Sequence, residues 1–362
     1  MHKQSSLKHW RTSAIVVLAA LAVIASASQA FGQGQPNESD HYTVETFEGN
    51  KPLFASFGLS EARDSNGNLL DVWVGQDDPQ PVWMSYNHGT PFQVSTTTTK
   101  AGVAVAPWGT DSFIVLQTGT DSKIYYTFVS DPSHTSGTWF PIPGQTTQPG
   151  LAVSAAQIGT GSQYVFVTYR GSGNDQRIYG TYINPQGNWS SPTNFAGGLS
   201  TTGPAVCLNN AADSLWAVAY GTDDQLWVTH QTLGSSSWNN WAGTGRYTGH
   251  LSGNTSFPGP TCAALSNGNV VVDYSAPLSS NNPVFITYYA TYNNGGGLVY
   301  GWNEDTTKFQ TLETVNLVSS GDTVWALLWD QGCENNSENP NCAIQYGEEG
   351  DGLMLWKQVT QQ

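Results

Sequence analysis

From Pro52 onward the hydrophobic positions come in short bursts divided by polar turns. The runs Phe113–Leu116, Tyr164–Tyr169, Leu215–Tyr220, Val270–Tyr274 and Val324–Trp329 are nearly continuous stretches of β-branched and aromatic residues. That is the signature of strands buried on both faces. Each follows a turn sequence, of which Ser65-Asn-Gly-Asn68 and Ser266-Asn-Gly-Asn269 are the clearest. Asn-Gly between apolar runs predicts a tight hairpin with positive φ at both central residues. A second polar turn then leads into a strand carrying an aromatic at its centre: Trp83, Tyr125, Tyr179, Trp227 and Phe285, with Gln345 in the sixth place. Fourth strands are predicted at Pro91–Ser95, Trp139–Ile142, Trp189–Phe195, Trp238–Trp241, Leu298–Trp302 and Leu353–Val359. No segment holds a helical period free of Gly, Pro and β-branched residues.

The phrase Thr118-Gly-Thr-Asp-Ser-Lys-Ile-Tyr-Tyr-Thr127 returns as Tyr220-Gly-Thr-Asp-Asp-Gln-Leu-Trp-Val-Thr229. Units of roughly 40–60 residues, each holding four short strands, predict an all-β propeller stacked radially. Six blades fit the count, with five and seven as the alternatives. A two-sheet sandwich would not generate six copies of one phrase. The predicted organisation is a secretory signal at 1–30, a lead segment at 31–50 and one propeller domain at 51–362.

The signal is read from a basic n-region of His2, Lys3, Lys8, His9 and Arg11, an apolar run from Ala14 to Ala25, and Ser28-Gln-Ala30 as the cleavage site. The run is short for a membrane span. The expectation is therefore an exported protein without membrane insertion. The chain carries 12 Lys+Arg against 27 Asp+Glu, a net charge of −15. Such a surface repels nucleic acid, which needs clustered cations. The four cysteines are then expected to pair. Cys333 and Cys342 bracket a polar loop. Cys207 and Cys262 occupy matching contexts one repeat apart, which would bridge neighbouring blades.

The phrase Gly-Thr-Asp-x-x-(Leu/Ile)-(Trp/Tyr), with Trp238-Asn-Asn-Trp241 after it and Gly203-Pro-Ala-Val206 opening a unit, resembles the bacterial PLL-type lectin propellers. More distantly it resembles fungal fucose lectins and tectonin-type propellers. The resemblance covers residues 100–250 well and the rest through the period alone. It implies sugar binding in pockets between blades or on one face, with a glycan or polysaccharide as partner and no cofactor. The chain departs from the fungal pattern: Met84, Tyr126, Gly180, Val228 and Ile286 follow the aromatics, where that family repeats a Glu. A full ring of equivalent fucose sites is not supported.

Trp83, Tyr125, Tyr179 and Trp227 are the candidate stacking rings, since aromatics offer large rigid area with a polar edge. Packing between blades is the competing role for them. Trp238 and Trp241, with Trp139 and Trp189, are expected nearer the outer strands and loops, where sugar contact competes with packing. Arg177 and Arg246 offer planar forks of donors for a hydroxyl or carboxylate, against surface ion pairing. Two further functions stay open. Asp71, Asp77, Asp78, Asp223, Asp273 and Asp330 near strand ends could converge at the central channel as a hydrolase or lyase site, although turn geometry explains such aspartates equally well. The propeller could also serve as a protein-binding scaffold. No metal site is expected, because Cys-x-x-Cys and His-x₃-His spacings are missing. Asp64-Ser-Asn66-Gly-Asn68 is read as a hairpin rather than a calcium loop.

Overall fold

A computed structural model of the chain describes residues 44–45, 55–75, 81–87, 89–99, 101–130, 138–235, 237–247, 259–279, 282–305, 316–320, 323–329, 344–350 and 353–359. The predicted signal, Cys333, Cys342, Asp77, Asp78 and Asp330 lie outside the described residues. So do residues 76–80 and 248–258.

Among the described residues the strands form six sheets in chain order, five antiparallel ones of four strands and a sixth of five. Blade 1 comprises Ala55–Arg63, Leu69–Gly75, Pro81–Tyr86 and Phe92–Thr98. Blade 2 comprises Ala104–Pro107, Phe113–Thr118, Lys123–Val129 and Phe140–Thr146. Blade 3 comprises Ser154–Gln157, Val165–Arg170, Arg177–Ile183 and Thr193–Leu199. Blade 4 comprises Ala205–Asn209, Ser214–Tyr220, Gln225–Thr232 and Ala242–Tyr247. Blade 5 comprises Thr261–Ala264, Val270–Ser279, Asn282–Tyr292 and Leu298–Asp305. Blade 6 comprises Asn316–Ser320, Thr323–Trp329, Ile344–Gly350 and Leu353–Val359. Val44–Glu45 lies parallel on its outer edge, Val44 opposite Gln358.

Each inner strand packs on the inner strands of both neighbouring blades, and blade 1 meets blade 6, so the ring closes. Together they surround a channel of about 570 Å³. The sequence pattern follows from distance to this axis. The second strands of blades 2, 3 and 4 are buried at every position, which is why they read as unbroken apolar runs. Third strands alternate, and the outer strand of blade 2 is mostly exposed.

The inner strands are locked to one another in an alternating way. Val105 N–H donates to Ser60 Oγ at 3.2 Å, Val206 N–H to Ser154 Oγ at 3.0 Å and Leu317 N–H to Thr261 Oγ1 at 3.2 Å. Blades 1, 3 and 5 thus each supply a hydroxyl to the next blade. The blade 4–blade 5 boundary is instead crossed by the Cys207–Cys262 disulfide.

Two local expectations change. Asn66 and Asn267 are not left-handed; only Gly67 (φ 87°) and Gly268 (φ 87°) are. Asp64 accepts from the Asn66 and Asn68 amides, and Asp64 and Asn68 also pair through their backbones. These loops are therefore type I turns closed by a left-handed glycine rather than two-residue type I′ turns. The second change concerns the tryptophans expected in the fourth strands. Trp139, Trp189, Trp238 and Trp241 all precede those strands. At least three of them lean on the preceding blade: Trp139 Nε1 donates to Val94 O at 3.3 Å, Trp189 meets Tyr126 at 5.1 Å, and Trp238 stacks on Phe195 at 4.2 Å.

His230, in the third strand of blade 4, stacks on fully buried Trp216 at 5.0 Å and meets Asn239 Nδ2 through Nε2 at 2.7 Å. Burial holds its pKa below the usual 6.5. The unfolded chain therefore takes up the proton first as pH falls. Stability from this site is complete above about pH 6.5 and declines below it, until the folded imidazole also titrates. Thermal melts from pH 7.5 to 5 are expected to show this decline, and His230→Phe, which keeps the stack, is expected to flatten it. A decline unchanged in the variant would assign it to other groups.

Candidate functional site

Three blades build the same device at the turn joining their second and third strands. In blade 2, Asp121 accepts from the Tyr125 hydroxyl at 2.9 Å and from the Lys123 amide at 3.2 Å. In blade 3, Asp175 accepts from the Tyr179 hydroxyl at 2.8 Å and from the Arg177 amide at 3.2 Å. In blade 4, Asp223 accepts from Trp227 Nε1 at 3.0 Å and from the Gln225 amide at 3.3 Å. The turn aspartate thus clips the polar edge of the strand aromatic while the ring stays half-buried. A glycine at the end of the second strand makes room. A Cβ on Gly119 would stand 2.7 Å from Tyr125 Cε2, and one on Gly221 would stand 2.7 Å from Trp227 Nε1. In blade 1 a Cβ on Gly75 would stand 2.8 Å from Trp83 Nε1, so the ring-over-glycine arrangement extends to Trp83. The Gly-Thr-Asp phrase is conformational grammar for holding a ring.

Pairing registers give the direction each ring faces. Trp227 lies opposite Ala219, which belongs to the core shared with Phe166 and Phe195 of blade 3. Tyr179 lies opposite Tyr169 and packs into the core shared with blade 2, while Tyr125 packs into the core shared with blade 1. Every clipped ring therefore faces the preceding blade, at the end of the propeller where these turns lie.

The boundary between blades 3 and 4 gathers further rings beside Trp227. Phe166, Phe195, Trp238 and Trp241 form one aromatic group, with Phe195 and Trp241 at 6.2 Å. Gly180 and Gly198 are fitted to it: a Cβ on Gly180 would stand 2.8 Å from Phe195 Cε1, and one on Gly198 2.8 Å from Trp241 Nε1. Trp238 and Trp241 remain half-buried, and Tyr164 and Tyr182 expose their rings beside it at 41% and 43%. By strand alternation Arg170 falls on the same face of blade 3 as Phe166. Its position at the end of a strand, outside any repeated phrase, gives no sequence signal for a site.

Arg177 is exposed. It grips Asp175 through Nε at 2.8 Å and Nη2 at 3.0 Å and lies 5.5 Å from the Tyr179 ring centre. The hydrogen bonds from Arg177, with those from Tyr179, hold the Asp175 carboxyl well below the usual carboxylate range. Arg246 lies half-buried in the outer strand of blade 4, next to left-handed Gly245. Phe285 and Gln345 sit in the third strands of blades 5 and 6, as expected. Asp71 and Asp273 are fully buried in second strands, away from the exposed Asp223. Among the described residues no group of three His, Cys, Asp or Glu is placed to hold a metal ion, and no helix is long and apolar enough to cross a membrane.

No family model matches the chain, and no curated protein does. Solved structures do. The SapL1 lectin in complex with alpha methyl fucoside superposes with a TM-score of 0.56 at 14% identity, covering 84% of this chain and 96% of that one. The Aleuria aurantia lectin, described as a six-bladed β-propeller with a novel fucose recognition mode, gives 0.53 at 14%, covering 83% and 94%. The BP39L lectin of Burkholderia pseudomallei gives 0.57 at 14%, covering 83% and 84%. The chain shares the propeller fold of these fucose-lectin-like proteins.

Proposed function

We propose that this protein is an exported, carbohydrate-binding propeller that takes glycans into clefts between neighbouring blades. The observation that carries the proposal is the clipped ring. Three consecutive blades each hold an aromatic half-exposed, with its polar edge already satisfied by an aspartate and its face toward the preceding blade. A ring fixed in this way loses little freedom on binding and offers its face to the apolar side of a pyranose. The lectin neighbours bind fucosides by their descriptions, which supports a glycan as the ligand class. The cleft between blades 3 and 4, with Trp227 on one wall and Trp238 and Trp241 beside it, is the leading site.

The aspartates of the clips are occupied in holding rings, so they support positioning rather than proton transfer. Export rests on the leader-like residues 1–30. The test is a glycan array probed with residues 31–362. Binding to one glycan family is expected, weakened roughly tenfold or more by Trp227→Ala, since stacking a ring removes apolar area from water. Loss of the array signal with neither Trp227→Ala nor Trp241→Ala would place the site elsewhere. A blank array would contradict glycan binding.

A further inference from the structure

The six blades differ at one register position of their second strands. Ser60, Ala104, Ser154, Ala205, Thr261 and Asn316 pair with Val72, Leu116, Thr168, Val218, Asp273 and Leu327. Two residues further along stand Val74, Thr118, Arg170, Tyr220, Ser275 and Trp329. Arg170 is the one cation among them.

Its guanidinium is not satisfied by the protein. Arg170 is 6% exposed, its buried Nε–H has no hydrogen-bond partner, and Nη2 reaches only the Gly173 carbonyl at 3.5 Å. Asp175 is near enough to act on it electrostatically, but its oxygens already accept from Arg177 and Tyr179. The Thr201 hydroxyl, on the connection from blade 3 to blade 4, is also buried without a partner. A desolvated cation lacking an acceptor is costly to keep, and Arg stays charged at neutral pH. An acceptor that completes the fork offsets that cost. A carboxylate does so with two oxygens and a full charge, where a neutral hydroxyl offers one weaker acceptor.

Resting on the carbohydrate reading above, we propose that the cleft between blades 3 and 4 takes a sugar bearing a carboxylate, one per chain. Its carboxylate accepts from Arg170 on the blade 3 wall and its ring lies against Trp227 on the blade 4 wall. The chain's net charge of −15 repels such a ligand at long range. Recognition is therefore local, and added salt leaves affinity unchanged or raises it, opposite to an exposed basic patch.

Calorimetric titration of the full chain with oligogalacturonate and with sialyllactose, each against its neutral parent, tests the proposal and separates uronic from sialic acids. At least one acidic ligand is expected to bind at a single site about tenfold or more tighter than its parent, and to keep that preference in about 0.5 M NaCl. Arg170→Met is expected to bring the affinity for the acidic ligand down to that for its neutral parent, and Arg170→Lys to keep part of the preference. If Arg170→Met does not fold, the wild-type preference and the lysine variant decide. Equal affinity for neutral parents, several equivalent acidic sites, or equally tight binding of triglutamate would overturn the acidic-sugar assignment with the lectin reading intact. Failure of every saccharide would overturn both.

Discussion

Replacing Cys207 and Cys262 together with alanine is expected to lower the stability of the propeller by about 4 kcal/mol. The bridge closes a loop with a sequence separation of 55, and constraining a chain of that length in the unfolded state is worth about that much. Its place in the fold raises the stakes. Both sulfurs lie on inner strands, buried to 7% and 5% exposure, at the blade 4–blade 5 boundary. In place of the hydroxyl clips at the blade 1–2, 3–4 and 5–6 boundaries, this one has a single buried side-chain hydrogen bond described, from Asn209 Nδ2 to Gly268 O at 2.7 Å. Denaturant midpoints measured with and without reductant give the comparison. The wild type should fall to the level of the double variant on reduction, and the variant should not respond. A loss under about 1 kcal/mol would show that packing and the Asn209–Gly268 hydrogen bond hold the blades together without the bridge.

Gly203→Ala is expected to cost about 3 kcal/mol or more. The position opens blade 4, and an added Cβ would fall on the backbone carbonyl of Ala152 in the strand lead of blade 3. Gly259 repeats the arrangement, with its Cβ 2.6 Å from the Gly203 oxygen. Backbone cannot move aside as a side chain can, so the ring would have to widen at its tightest circle. Gly67 provides the contrast. Nothing stands within 4 Å of its Cβ, and only its φ of 87° resists substitution, a cost of about 1 kcal/mol. Parallel unfolding curves of the two variants should therefore separate clearly. Equal losses would mean that close approach of the inner strands is not what fixes Gly203.

The architecture was legible in the sequence because a propeller repeats its grammar. Fully buried second strands print as unbroken apolar runs, and the phrase Gly-Thr-Asp-x-x-(Leu/Ile)-(Trp/Tyr) prints twice. The pairing of Cys207 with Cys262 was legible from matching contexts. Other features depend on register, which a single strand does not reveal. Alternation says that Arg170 shares a face with Phe166, but only the pairing of blades says that this face meets Trp227. The aspartates of the clips looked like turn residues, and they are; their second contact, to a ring four residues on, becomes visible only in three dimensions. Trp139, Trp189, Trp238 and Trp241 read as strand residues by β propensity, yet they sit ahead of their strands. The pull of a neighbouring blade's apolar face outweighs local propensity there.

The clipped rings are the central claim, and indole signals test it directly. Amide-type NMR spectra of the protein labelled at tryptophan report each indole N–H group, with assignments from single Trp→Phe variants. On titration with a glycan that binds, the Trp227 and Trp241 signals are expected to shift first and to saturate together with the calorimetric isotherm. Saturating ligand that moves other tryptophans and leaves Trp227 and Trp241 unshifted would contradict the account.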